Sequence, residues 1–343
     1  MTARDTAGSA LEGLEIDLAD GRPAIARVHG VRPEHAASWL TEHAPAVRAA
    51  LERHGSLLIR GLGLSTVEYF AAARDVLLTE PVAYQEKATP RSEQGSGVYS
   101  STDMPPSHEI ALHNENSYTL DFPGLLLFGC LTAPEQGGAT PVADCRKVLA
   151  RIPEPLADRF RASGWTLTRT YHPHMGLPWT RAFGTEDRAQ LESYLGRSLT
   201  ASQWLAGDTL RTSQRRTATL HHPDTGEEVW FNHIAFWNEH TLDPEFREVL
   251  RESYGPEGLP FNTAHGDGSP IAPEDVAVLA EAYRAERCRE SWQPGDLLIV
   301  DNILTCHGRE AFRGDRRIVV AMGRKVSLAQ CAPAVAAAPG ALR

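Results

Sequence analysis

The chain lacks a cysteine framework, a long apolar run, a phosphate-binding loop and any surplus of positive charge, and each absence removes a class of function. Its five cysteines (Cys130, Cys145, Cys288, Cys306 and Cys331) are odd in number and form no CxxC pair. A disulfide scaffold and a cysteine zinc site are therefore disfavoured, and a reducing, cytoplasmic setting is expected. No apolar stretch approaches the roughly 20 residues that span a bilayer. Residues Met1–Leu11 are small and polar, without the basic-then-apolar order of a secretory signal. The net charge of −10 argues against general attraction to nucleic acid or anionic membranes. No glycine-rich loop follows a strand-like run, which disfavours nucleotide use, and no HExxH motif supplies a hydrolytic zinc site. Neither an internal repeat nor a clear linker is found.

What is present is length and apolar content for one large domain: 343 residues, 42% hydrophobic. A single domain over 13–326 is expected, with residues 1–12 and the Ala/Pro-rich 327–343 as flexible ends. Apolar periodicity predicts helices over Pro33–His54 and Thr66–Leu78, then near Glu186–Leu195, Pro244–Ser253 and Pro273–Glu290. Strands are expected at Ser56–Gly61, Gly124–Leu131, Trp165–Tyr171, Glu228–Ile234, Asp296–Leu304 and Arg316–Met322, and irregular strands and loops over Val98–His113. Strands and helices do not alternate regularly. The pattern predicts a mainly β core carrying helical insertions rather than a doubly wound parallel sheet.

The first chemical signal is Ile110-Ala-Leu-His-Asn-Glu-Asn116. In a strand, alternate residues share a face, so His113 and Glu115 can reach one point. A second, distant histidine would complete a facial triad of two imidazoles and one carboxylate, which leaves positions open for oxygen chemistry. Among 14 histidines, His307 stands out because it closes the apolar run LLIVDNIL through Thr305 and Cys306, where a core strand is expected to meet a loop. An HxE triplet is common by chance, and a lone histidine at a strand end is more often structural. The set gains weight from its surroundings.

A 2-oxo acid chelating such a metal leaves its far carboxylate in need of a buried planar cation, a role that suits arginine. Arg317 lies ten residues beyond His307, at the start of RRIVVAM, and a hairpin across Gly308–Asp315 would bring it back beside His307. Arg316 and Arg317 point to opposite faces of a strand, so only one can face the pocket. Thr140, after the Gly137-Gly138-Ala139 turn, offers a hydroxyl to the same carboxylate.

His113-Asn-Glu115, Thr140, His307 and Arg317 together resemble the pattern of the taurine dioxygenase and clavaminate synthase-like family of iron(II)/2-oxoglutarate dioxygenases. The stretches VYSSTDMPPSHEIALHNENSYTLDFP, PEQGGATPVADCRKVL, HPDTGEEVWFNH and GDLLIVDNILTCHGREAFRGDRRIVVAMG extend it from about residue 55 to 325, and read like the subgroup that contains the syringomycin-pathway aspartyl hydroxylase. The resemblance implies a double-stranded β-helix, jelly-roll-like fold. It implies iron(II), 2-oxoglutarate and O2 as the reacting partners. It assigns His113, Glu115 and His307 to the metal, and Arg317 with Thr140 to the co-substrate. Halogenating relatives replace the carboxylate ligand by a small residue, so Glu115 favours hydroxylation.

The resemblance implies as substrate an amino acid, free or tethered to a carrier protein, in an antibiotic-type biosynthetic pathway. Ser101, Thr102, Asn116, Ser117, Asn232, His233 and Arg309 are polar candidates for touching it, though each has an ordinary structural reading as a loop, strand or surface residue. The taurine enzyme carries a second arginine four residues beyond its co-substrate arginine. Counted from Arg317 that position is Ala321, which disfavours a sulfonate. Desaturation, epoxidation or cyclisation by the same oxidant, a catabolic dioxygenase, and a non-catalytic binding protein are the competing readings. Oligomeric state is not legible.

Overall fold

The computed structural model describes residues 9–11, 14–78, 80, 86, 92–95 and 97–342. The fold is mainly β, with helices packed outside the sheets. The largest sheet has nine strands in the order Ser9–Leu11, Leu14–Asp17, Ala24–Arg27, Ser56–Arg60, Leu297–Asp301, Asp121–Thr132, Arg317–Ser327, Val98–Ser100 and Glu93–Gly95. All its pairings are antiparallel except that of Ala24–Arg27 with Ser56–Arg60. A three-stranded sheet (Val142–Asp144, Thr305–Arg309, Ile110–His113) and a third sheet built on Trp165–Tyr171 and Thr209–Arg216 complete the main β structure.

The central strands of the large sheet are apolar at nearly every position because both faces are covered. Leu125, Leu127, Leu297, Ile299, Val319 and Ala321 point to one side and pack with Leu40, Val47 and Phe70 of the outer helices. Leu126, Phe128, Cys130, Leu298, Val300, Ile318 and Val320 point to the other and reach Val142 of the three-stranded sheet. Period-two alternation thus divides each strand between two cores. At Gly129 the helix layer comes so close that a Cβ would sit 2.4 Å from the Phe70 ring.

Several elements differ from their sequence signatures. The Pro33–His54 helix is broken into Pro33–His35, Ala36–Glu42 and Ala44–His54. Pro45 has no N–H to donate to the turn before it, so a new helix starts there. The run Asp296–Leu304 is not one strand. Asp301 accepts hydrogen bonds from the Ile303 and Leu304 amides at 3.0 Å, which turns the chain out of the large sheet. It then starts a second strand in the three-stranded sheet, so His307 is mid-strand rather than at a strand's end. Glu228–Ile234 keeps only Glu228–Trp230 as strand.

The expected hairpin across Gly308–Asp315 is instead a crossing between sheets: Arg317–Ser327 pairs with Asp121–Thr132, not with the His307 strand. The Ala/Pro-rich tail, expected to be a flexible end, lies against the third sheet. Ser327 caps a short helical turn over Leu328–Cys331, and Ala338–Pro339 pairs with Arg215 and Gln214. At the other end, residues 1–8, 12 and 13 lie outside the described residues, while Ser9–Leu11 pairs with Leu14–Asp17. No helix among the described residues is long and apolar enough to cross a membrane.

Candidate active site

The site lies where the three-stranded sheet faces the large one. His307 occupies the middle strand, opposite His113 on one side and Val142 on the other, with a register shift between His307 and Arg309. That pairing sets the two imidazoles side by side, ring centroids 4.5 Å apart. His113 ends its strand, and Glu115 sits in the following turn rather than in the strand that the HxE spacing suggested. Asn302 supplies what the strand would have. Its side chain accepts from the Glu115 amide at 2.7 Å and donates to the Glu115 carbonyl at 2.9 Å and the Pro123 carbonyl at 2.8 Å. Asn114 answers by donating to the Asn302 carbonyl at 2.7 Å. Asn116 adopts φ +55°, a left-handed conformation that asparagine tolerates better than most residues.

One ligand atom each from His113, Glu115 and His307 lies within 4.8 Å of the others, and this is the metal-competent cluster found among the described residues. The His307 Nε2 stands 3.7 Å from a Glu115 carboxylate oxygen. The His113 Nδ1 meets the Ala111 carbonyl at 2.9 Å, which fixes the tautomer that leaves Nε2 with a lone pair for a metal. Two imidazoles and a carboxylate on one side of a cavity fit a divalent iron with coordination positions left open.

The expectation for Arg317 is corrected by the geometry. Arg317 is exposed at the start of its strand. Arg316 is the arginine that lines the cavity with the three candidate ligands. Its guanidinium donates to the Gly138 carbonyl at 2.9 Å, the Ser101 hydroxyl at 3.1 Å and the Thr140 hydroxyl at 3.5 Å. Burial, then the nearby charge of Arg309, pulls its pKa down to about 10. A cation strained in this way is stabilised by an incoming carboxylate. The two arginines do face opposite ways, as strand alternation requires, and what the geometry reverses is the choice between them that the family pattern suggested. The Gly-Gly turn packs on Arg316: Gly137 and Gly138 have φ of +66° and +69°, and a Cβ on Gly138 would come within 3.2 Å of the Arg316 stem.

The polar candidates separate into three groups. Ser101, Thr102, Asn116, His233 and Arg309 line the cavity. Arg309 nonetheless gives its guanidinium to the Met104, Pro105 and His108 carbonyls, pinning that loop beside the metal site. Ser117 lies behind, 2.6 Å from the His233 Nδ1. Asn232 is corrected to a structural role. It is buried away from the cavity, donates to the Ala218 carbonyl and accepts from the Ile234 amide. His233 is held neutral, its pKa pushed well below the usual histidine range by burial and then by His113. Phe128, Phe236 and Trp237 complete the walls and were not legible as site residues, because each reads as an ordinary core aromatic.

The sequence profile of the taurine catabolism dioxygenase TauD, TfdA family matches residues 17–322. This chain belongs to that family. It is 34% identical over 305 residues to the dapdiamide synthesis protein DdaC of Enterobacter agglomerans, covering 89% of this chain and 92% of that protein. A clavaminate synthase-like protein of Arabidopsis thaliana is 24% identical over 289 residues, 79% of this chain and 82% of its own. Among solved structures, PvcB of Pseudomonas aeruginosa superposes with a TM-score of 0.53 at 16% identity, covering 93% and 94% of the two chains. A taurine dioxygenase of Burkholderia xenovorans gives 0.52 at 16%, covering 92% and 94%. At that identity the likeness speaks for the fold alone. As a TauD/TfdA-family member the protein is a 2-oxoglutarate-dependent non-haem iron dioxygenase, using iron(II), 2-oxoglutarate and O2.

Proposed function

We propose that His113, Glu115 and His307 hold the iron and that Arg316, with Thr140 and Ser101, anchors the far carboxylate of 2-oxoglutarate. The enzyme would then hydroxylate an unactivated C–H bond of an amino acid, free or carrier-tethered, in a cytoplasmic specialised-metabolite pathway. One observation carries the site reading: the three ligand atoms within 4.8 Å share a cavity with a half-buried arginine that donates to two hydroxyls. Iron supplies the oxidant when bound. The chain orients the co-substrate through Arg316, keeps His233 from carrying charge beside the metal, and lines the rest with aromatic rings that exclude water. The two facing sheets support a distorted double-stranded β-helix as the core. Glu115 fills the position that a halide would need, which supports oxygenation over halogenation. Four residues beyond Arg316 stands Val320, so correcting the anchor does not restore a second arginine for a sulfonate. The relation to a dapdiamide synthesis protein supports a biosynthetic rather than a catabolic setting.

The test is anaerobic titration with iron(II) and 2-oxoglutarate, followed by oxygen with amino acids and carrier-bound aminoacyl groups. Substrate-triggered succinate is expected from one of these classes. Glu115→Ala should bind iron at least tenfold more weakly and form no succinate. Ordinary turnover by that variant would overturn the ligand assignment.

A further inference from the structure

The metal cavity is small, about 60 Å³, and a second cavity of about 1090 Å³ adjoins it, sharing Ile110, Phe236 and Trp237. Arg316, Thr140 and Ser101 line only the small one. His233 also lines the small cavity and is 2% exposed. It packs on two of the residues at the junction, its ring centroid 5.2 Å from Phe236 and 4.4 Å from Trp237. Tyr118 at 5.1 Å and His113 at 5.5 Å close the rest of the cage. A ring packed among four others has its orientation fixed, so the directions of its two nitrogens are fixed too.

We propose that the His233 Nε2–H donates a hydrogen bond to an acyl oxygen of the substrate, and that Ser117 sets the tautomer that makes it a donor. The oxygen belongs to the carboxylate of a free amino acid or to the carbonyl of a tethered aminoacyl group. This rests on the reading above that such a group is oxidised in the small cavity. Nδ1 is turned away from the cavity, 2.6 Å from the Ser117 hydroxyl behind the wall. Burial, then His113, keeps the ring neutral, so it carries a single N–H. Ser117 is buried, and among the described residues its hydroxyl has no other partner. A proton on Nδ1 would leave the hydroxyl hydrogen without an acceptor. With the hydroxyl donating to Nδ1 instead, both groups are satisfied and the N–H sits on Nε2. His233 makes no second hydrogen bond among the described residues, so this N–H is left for the cavity. A protonated Nε2 has no lone pair for a metal, and His233 accordingly stands outside the cluster of three ligands. A fixed neutral donor next to the junction suits an oxygen close to the reacting carbon, with the rest of the substrate in the wide cavity.

The test uses the full chain labelled with [15N]histidine and loaded with zinc(II) and saturating 2-oxoglutarate, so that nothing turns over. The probes are the proteinogenic L-amino acids and their N-acetylcysteamine thioesters, and His233 is identified by its missing signals in His233→Phe. Nitrogen NMR should show His233 as the Nε2–H tautomer. Every probe that triggers succinate with the iron-loaded enzyme should shift that Nε2 signal. Shifts from the free acids alone assign the oxygen to a carboxylate, and shifts from the thioesters alone to a tethered carbonyl. His233→Phe keeps a ring but no donor. It should raise the KM for a triggering probe by roughly tenfold while the KM for 2-oxoglutarate stays within about twofold. His233→Gln, which retains an N–H, should recover part of the loss. Ser117→Ala should mix the two tautomers and raise the same KM several-fold, and Ser117→Thr should restore both. An Nδ1–H tautomer, an Nε2 signal unmoved by a triggering probe, or an unchanged KM in His233→Phe overturns the subsite. No succinate from any probe would overturn the amino-acid reading, and the subsite with it. The wild-type spectra decide the tautomer and the contact even where a variant fails to fold.

Discussion

Arg316 and Arg317 differ by one position, and the fold gives them opposite fates. Arg316 is half-buried against Gly138, Ser101 and Thr140, whereas Arg317 is exposed. A charge-assisted, bidentate anchor is worth about 1.5–3 kcal/mol per bond in a dry site. Arg316→Met should therefore raise the KM for 2-oxoglutarate by about two orders of magnitude, and Arg317→Met should leave it within about twofold. Steady-state succinate formation over a co-substrate series checks both, and equal effects would reverse the assignment. A second residue-scale consequence concerns His265, which is fully buried with neither ring nitrogen hydrogen-bonded among the described residues. It packs on Phe160 at 4.7 Å, and burial, then Arg159, lowers its pKa. The unfolded chain binds this proton near pH 6.5 and the folded chain resists it. Stability from neutral His265 is therefore complete above about pH 6.5 and is lost as pH falls through the lowered folded value, by up to about 1.4 kcal/mol per pH unit. Urea melts between pH 7.5 and 5 should show that slope in the wild type and a shallower one in His265→Leu.

At the scale of elements, Asp301-Asn302 shows why some of this architecture was legible and some was not. Apolar runs announced the core strands near Leu57, Leu126, Leu298 and Val319, because strands buried on both faces need apolar residues at every position. The same continuity concealed the break inside LLIVDNIL, where two polar side chains take over backbone amides and carbonyls and send the chain to another sheet. The grouping of His113, Glu115 and His307 was legible by residue type and spacing. The reason Glu115 faces the histidines was not, since it lies in a side-chain clamp 187 residues away. Arg316 was missed for a different reason: alternation says only that the two arginines face opposite ways, and the family pattern favoured the second, whereas Arg316, in step with Ile318 and Val320, is the one that lines the cavity. Asn302 thereby positions Glu115, the proposed ligand, through its backbone and not through its carboxylate. Asn302→Ala should weaken metal binding about 10- to 100-fold, as loss of such support does elsewhere. Cobalt(II) titration followed in the visible spectrum reads this separately from melting temperature. A variant that melts lower but binds cobalt like the wild type would reduce the clamp to a folding role.

On the scale of the whole molecule, the metal cavity and the C-terminal segment are joined through one strand. Thr209–Arg216 pairs with Trp165–Tyr171 and with Ala338–Pro339 of the tail. From the same strand Gln214 and Arg216 both donate to the Tyr118 carbonyl, at 2.7 and 2.9 Å, in the turn that presents Glu115. The tail closes over this strand tightly: Gly340 donates to the Ser213 carbonyl, and a Cβ there would lie 2.1 Å from the Ser213 hydroxyl. The Ala338 carbonyl also receives the Arg216 guanidinium at 3.4 Å. An Ala/Pro-rich composition carries no periodic signal, so this docking is set by backbone pairing rather than by side-chain pattern. Removing residues 333–343 should uncover the strand's backbone and lower the melting temperature by several degrees, as expected for the loss of about 1–2 kcal/mol in a chain of this size. Because the strand braces the Glu115 turn, the truncated enzyme should also consume 2-oxoglutarate with less product formed per succinate. Measuring succinate and product in the same reaction tests this, and an unchanged ratio together with an unchanged melting temperature would show that the tail does not support the metal cavity.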